Sequence, residues 1–138
     1  MKSLVLAGLL FICSACSPEP TPAVVTADQP EDAPAAPRFD PAKVERMKAK
    51  LLEEPKIKDV LYTPSPGSVE WQVGVYDDGS SRVGYAGYVC LKLREDGLVD
   101  KQTDVRIVDV VKAQASGGDL RGASLGHIDC TTERDLGT

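Results

Sequence analysis

The chain is poor in the side chains that most catalytic chemistry draws on. It has one histidine, His127, and one tryptophan, and aromatic residues make up only 5% of its 138 residues. A lone imidazole excludes a histidine-rich metal centre, and no carboxylate cluster shows ligand spacing, so no cofactor is expected. The acidic turn Asp77-Asp78-Gly79-Ser80 lacks the alternating ligands and distal Glu of a calcium loop. The longest apolar run, Leu4 to Cys13, is ten residues, and a bilayer span needs about 20. Positive charge is also short: the formal net charge is −5, with no basic stripe of the kind nucleic acid requires. No internal repeat is present.

What is there begins at the amino terminus. Met1-Lys2 is a minimal basic start, Leu4–Cys13 a short apolar core, and Ser14-Ala15 supply the small residues of a cleavage site, which together make a secretory signal. The tetrad Cys13-Ser14-Ala15-Cys16 resembles the lipobox of bacterial lipoprotein precursors, with Cys13 standing where that pattern usually has Leu. The resemblance implies cleavage before Cys16, lipidation of its sulfur and acylation of its new amino group with palmitate-type chains. Cys13 is the poorer candidate for the modified residue, because Phe11 and Ile12 are too bulky for the cut site. Ser17 is not Asp, which in such lipoproteins implies sorting to the outer membrane, on the periplasmic side.

After the cysteine, residues 16–37 carry six of the ten prolines and no aromatic residue. Such a segment cannot bury enough apolar surface to offset its ordering entropy. An acidic, extended linker is expected, with a reach of at most about 65 Å at about 3.1 Å per residue. The expected organisation is a signal at 1–15, a lipidated linker at 16–37 and one domain at 38–138. That domain has 101 residues, 15 basic and 17 acidic, for a formal charge of −2.

The domain pattern reads as α+β: one helix at the start of the domain packed on a small antiparallel sheet of three to four strands, with one disulfide. Asp40 is a good N-cap and Pro41 suits the first helical position. Val44, Met47 and Leu51 recur at helical spacing, a stripe expected to pack on the sheet, and Pro55 ends the helix. Ile57, Val60 and Leu61 suggest one more helical turn before Pro64 and Pro66. Val69, Trp71, Val73 and Val75 alternate as a strand. Arg82–Leu93 also alternates, with Val83, Tyr85, Gly87, Val89, Leu91 and Leu93 on one side, and is expected to return as a second strand through the turn Asp77-Asp78-Gly79. That register pairs Trp71 with Tyr85 and Val73 with Val83. Thr103–Lys112, apolar on both faces, reads as a third strand, and Ala123–Cys130 as a fourth extended segment.

An exported chain pairs its thiols, so Cys90 and Cys130 are expected to form a disulfide. Were both on strands of a flat meander, two spacings of about 4.8 Å would hold them too far apart. The last segment is therefore expected to cross the sheet's second face rather than lie flat beside the third strand.

Catalytic motifs do not survive their context. Gly122-Ala123-Ser124-Leu125-Gly126 matches the nucleophile elbow G-x-S-x-G, but that elbow sits between a parallel strand and a helix on a large sheet. His127 is also adjacent in sequence, whereas triad partners approach from elsewhere. Glu53-Glu54, Asp77-Asp78 and Glu95-Asp96 read as solvated turn or helix-end acids. In the hairpin register Tyr76, Arg82 and Tyr88 share one side of the sheet. They are the candidate binding patch, although the same side is also the expected floor beneath the last segment. The functional expectation is a non-enzymatic envelope lipoprotein, tied to the membrane by its lipid and binding a protein partner as a scaffold. The alternative is a protective lipoprotein, an immunity, inhibitor or exclusion factor against a toxin, lysozyme or conjugating partner.

Overall fold

The computed structural model describes residues 38–137. The signal at 1–15, the candidate lipid site Cys16 and the linker at 16–37 lie outside those residues. The order of elements is α1 (Pro41–Leu52), β1 (Ile57–Ser65), β2 (Ser68–Val75), α2 (Val83–Glu95), β3 (Thr103–Asp109), α3 (Val110–Ala115) and β4 (Ser124–Asp129). The class is α+β with a four-stranded sheet in the order β1-β2-β3-β4. The sheet is mixed: β1/β2 and β3/β4 are antiparallel, but β2/β3 is parallel.

Helix α1 forms for the reasons its sequence states. The Asp40 carboxylate accepts from the Ala42 amide at 2.9 Å, Pro41 opens the helix, and Val44, Met47 and Leu51 are buried. The stripe packs against β1. At the other end of β1, Pro66-Gly67 closes a tight hairpin into β2. Gly67 adopts φ 88°, a left-handed value that glycine reaches without a Cβ clash.

Two expectations are corrected here. Residues 57–65 form a strand, not a helical turn, with Ile57 and Val60 both buried because a bulge between Ile57 and Asp59 inserts an extra residue. Pro64 is tolerated because β1 is an edge strand. Residues 83–95 form a helix, not a return strand. They bury Ala86, Val89, Cys90 and Leu93, the i, i+3, i+4, i+7 stripe of an amphipathic helix. The connection from β2 to β3 thus becomes a β-α-β crossover, which is what a parallel pair requires.

The all-antiparallel sheet and the Asp77–Gly79 hairpin fall with that strand. Trp71 pairs with Tyr62 on β1 and Val105 on β3, and Val73 with Val60 and Ile107. Trp71 is completely buried and meets the Tyr62 ring edge-on, centroids 5.0 Å apart. One core cluster joins these residues to the buried faces of α1 and α2. Each helix is also tied to the residues just past the other's end: the Tyr88 hydroxyl donates to Glu54 Oε1 at 2.7 Å, and Lys50 pairs with Asp96 at 3.0 Å.

The disulfide is present, and its geometry corrects the expected path of the last segment. Cys90 and Cys130 are bonded with Cα atoms 5.2 Å apart. Yet β4 lies flat in the sheet, hydrogen-bonded to β3. The distance objection disappears because Cys90 rides on α2, above the sheet, rather than on a strand within it. The apolar second side of β3 also has another explanation. Val110, at the start of α3, lies over Gly74, where even a Cβ would come within 2.6 Å of it.

Candidate functional site

Three chain segments converge where β2 ends. Because β1 is antiparallel to β2, Ile57 pairs with Val75, and this places Lys56 and Lys58 beside the end of β2. Tyr76 leaves the sheet there, Asp77–Ser81 turn, and Arg82 opens α2. The result is a cleft of about 270 Å³ lined by Pro55, Lys56, Lys58, Val75, Tyr76, Asp78, Arg82 and Tyr85. It sits at the carboxyl end of a parallel strand, beside the start of the crossover helix, where open sheets commonly receive ligands.

The turn is held by its own acids. Asp77 accepts from the Gly79 amide at 2.8 Å and pairs with Lys112 at 3.0 Å. Asp78 accepts from the Ser80 hydroxyl at 2.6 Å and pairs with Arg82 Nη2 at 2.7 Å. These bonds favour the charged forms: the Gly79 amide, then Lys112, holds Asp77 below the ordinary carboxylate range. The Ser80 side chain, then its amide, does the same for Asp78.

Tyr76 is exposed, with Lys58 Nζ 5.7 Å from its ring centroid. Tyr85 stacks on Tyr88, centroids 5.8 Å apart and planes inclined by 13°. Burial, and then the Glu54 charge, pushes the Tyr85 phenol up. The hydrogen bond to Glu54 raises Tyr88 first of all. Both phenols therefore stay neutral at physiological pH.

The structure brings Tyr76 and Arg82 into one cleft, by a helix start rather than by the hairpin register. Tyr88 lies outside that lining and adjoins it through the Tyr85 stack. Sequence reasoning missed Tyr85, Lys56 and Lys58 as members. Tyr85 is three residues from both Arg82 and Tyr88, a helical spacing that would have grouped all three.

The other singled-out residues belong elsewhere. Ser124 opens β4, an antiparallel strand, so the G-x-S-x-G stretch does not sit in a parallel strand-to-helix turn. Its last glycine has a packing reason: a Cβ on Gly126 would lie 2.5 Å from the Val83 nitrogen. His127 is 9% exposed, with Nε2 4.0 Å from Asp104 Oδ2. Burial, and then the neighbouring Arg106, holds its pKa below the ordinary value, so the imidazole is neutral at pH 7 and the contact is not an ion pair. Cys90 and Cys130 are committed to each other. Among the described residues no group of His, Cys, Asp and Glu is arranged to hold a metal ion, and no helix is long and apolar enough to cross a membrane.

Compared with protein-family models, curated proteins and solved structures, the chain matches none.

Proposed function

We propose that this chain is a non-enzymatic binding module of the bacterial envelope, lipid-anchored through Cys16 at the outer membrane and facing the periplasm. In this reading the cleft of Tyr76, Arg82 and Tyr85 is the surface that meets a protein partner. One observation carries it. In a chain with only four tyrosines, Tyr76 is 59% exposed at the rim of a concave surface whose wall is an arginine and a second tyrosine. Tyr and Arg are the residue types enriched in interface hot spots, and they act best where a pocket excludes water. The lipobox-like tetrad and the acidic, proline-rich stretch at 16–37 support the anchored half of the reading. They would hold the module near a membrane while leaving it room to search.

The test is a photo-crosslinking amino acid placed at position 76 of the full chain in living cells, with position 114 as control. A discrete adduct of one mass from position 76, absent from position 114, is the expected result. No adduct at 76, or the same diffuse labelling from both positions, refutes the reading.

A further inference from the structure

We propose that the cleft is specifically a carboxylate site, built to take an acidic segment of the protein partner. This rests on the binding-module reading above and names the chemistry that the same site recognises. The wall presents Lys56, Lys58 and Arg82 against a single carboxylate, Asp78. That is a local excess of two positive charges on a domain whose formal charge is −2. Of the twelve other cations of the domain, seven are neutralised: Arg38, Lys48, Lys50, Lys92, Arg94, Arg106 and Lys112 each face a carboxylate within 4 Å, whereas among the described residues Lys43, Arg46, Lys101, Arg121 and Arg134 do not. Lys56 and Lys58 likewise have no such partner among the described residues, and what sets them apart is that they share one cleft with Arg82. Lys58 instead donates to the Pro55 carbonyl at 2.7 Å. Folding has therefore gathered uncompensated cations into a concavity, where low-dielectric walls focus the field on an incoming anion.

Arg82 is held ready for that anion. Its side chain is 14% exposed and fixed by Asp78 through Nη2 at 2.7 Å. Its buried Nε, like the buried Tyr85 hydroxyl, has no hydrogen-bond partner among the described residues. A guanidinium engaged at one corner keeps further donors for a second carboxylate.

Size and charge choose among anionic ligands. About 270 Å³ falls just below the ~300–1,000 Å³ typical of small-molecule pockets, which suits one or two side chains of a longer ligand. A membrane headgroup surface calls for clusters of about four to eight Lys or Arg. This cleft has three cations, one of them already engaged.

The experiment titrates the isotope-labelled full chain, anchored in uncharged phosphatidylcholine nanodiscs, with penta-glutamate, penta-glutamine and phosphatidylglycerol vesicles, and follows backbone amide signals. Penta-glutamate should move Tyr76, Arg82 and Tyr85, penta-glutamine should not, and the vesicles should leave the cleft unperturbed. Arg82→Gln should weaken penta-glutamate binding about tenfold or more, as loss of a charged hydrogen bond implies. The paired change of Lys56→Gln and Lys58→Gln, both exposed, should weaken it several-fold, with amide signals outside the cleft unchanged. Lys101→Gln should change nothing. Equal shifts from penta-glutamine overturn the carboxylate inference and leave the binding module standing. Cleft shifts from the vesicles alone overturn it in favour of a lipid surface. Silence from all three ligands overturns it as well, and the crosslink at position 76 then decides whether the module reading falls with it.

Discussion

Removing the Cys90–Cys130 bond tests the assembly of the whole domain, because it is the covalent tie between the crossover helix and the last strand. The bonded residues are 40 positions apart. The entropy of closing a loop of that size in the unfolded chain corresponds to about 4 kcal/mol at 25 °C by the usual chain-statistics argument. Both cysteines are buried, so replacing them with alanine also loses some packing. Other contacts across the same junction remain: Arg94 Nη2 donates to the Cys130 carbonyl at 2.6 Å, and the Cys130 amide donates to Thr103 at 2.8 Å. The expected loss for the paired Cys90→Ala, Cys130→Ala variant is therefore about 3–5 kcal/mol, a large part of the roughly 5–15 kcal/mol that domains of this kind possess. Urea unfolding of the oxidised protein and of the variant measures it. Native-state hydrogen exchange should show protection lost first in β4 and the carboxyl half of α2, while β1/β2 amides keep theirs. A loss below about 1 kcal/mol, or exchange that rises first in α1 and β1, would refute the reasoning that this bond holds α2 to the β4 end of the sheet.

Four further outcomes are expected. Cys16→Ser should abolish fatty-acid incorporation and leave an uncleaved or mislocalised precursor, and normal labelling and sorting of the variant would remove the lipobox reading. A fragment starting at Arg38 should be soluble and give one cooperative unfolding transition, since the described residues 38–137 hold a hydrophobic core of their own; aggregation would show that the α1 stripe needs a partner. Gly126→Ala should cost about 1–3 kcal/mol, typical of forced overpacking, because the new Cβ would meet the Val83 nitrogen and the Arg82 carbonyl carbon at 2.5 and 2.6 Å, and a thermal melt equal to wild type would contradict it. His127, whose pKa is depressed by burial and then by Arg106, binds its proton more readily when unfolded, so urea stability should fall as pH drops from 7.5 through 6.5 toward 5.5; His127→Gln should flatten that slope, and an unchanged slope would refute the assignment. Asp104, raised mainly by burial, works in the opposite sense and in a lower window, near and above its ordinary value of 3.8.

Helix α1, β2 and the disulfide were legible because one signal dominates each; the third strand was legible only to Asp109, since Val110–Lys112 belong to α3, and β4 was legible as an extended segment but not in its place beside β3. Asp40-Pro41 and the Val44, Met47, Leu51 stripe admit one geometry. The alternation from Val69 to Val75 admits another. The stretch 83–93 was ambiguous because two periods are superposed. Val83, Tyr85, Gly87, Val89, Leu91 and Leu93 satisfy period two, while Ala86, Val89, Cys90 and Leu93 satisfy the helical period. Gly84 and Gly87 lower helix propensity by about 1 kcal/mol each relative to Ala, which weakens the local case for a helix. Tertiary burial decides otherwise: Ala86, Val89 and Leu93 are fully buried against the sheet, whereas Leu91 is half exposed. The parallel β2/β3 pair needs a crossover, and this stretch is the chain available to make it.

The residues of the cleft depend on the fold around them to different degrees. Tyr76 and Arg82 meet because both lie in the short connection leaving β2. Any element that folds back over the sheet from that connection keeps them close, so their grouping was insensitive to whether the element was a strand or a helix. Tyr88 was sensitive: as a strand residue it would stand on the sheet, but as a helix residue it moves to the α1 side, donates to Glu54 and reaches the cleft only through Tyr85. The lysines were the most sensitive of all. Lys56 and Lys58 approach Tyr76 only because Ile57 pairs with Val75, a pairing that does not exist if residues 57–61 are a helical turn. The bulge at Ile57–Asp59 gives two buried residues three apart, mimicking a helix in the place where the strand begins. Misreading that single bulge removes two of the three cations from the cleft, and with them the charge that argues for an acidic partner.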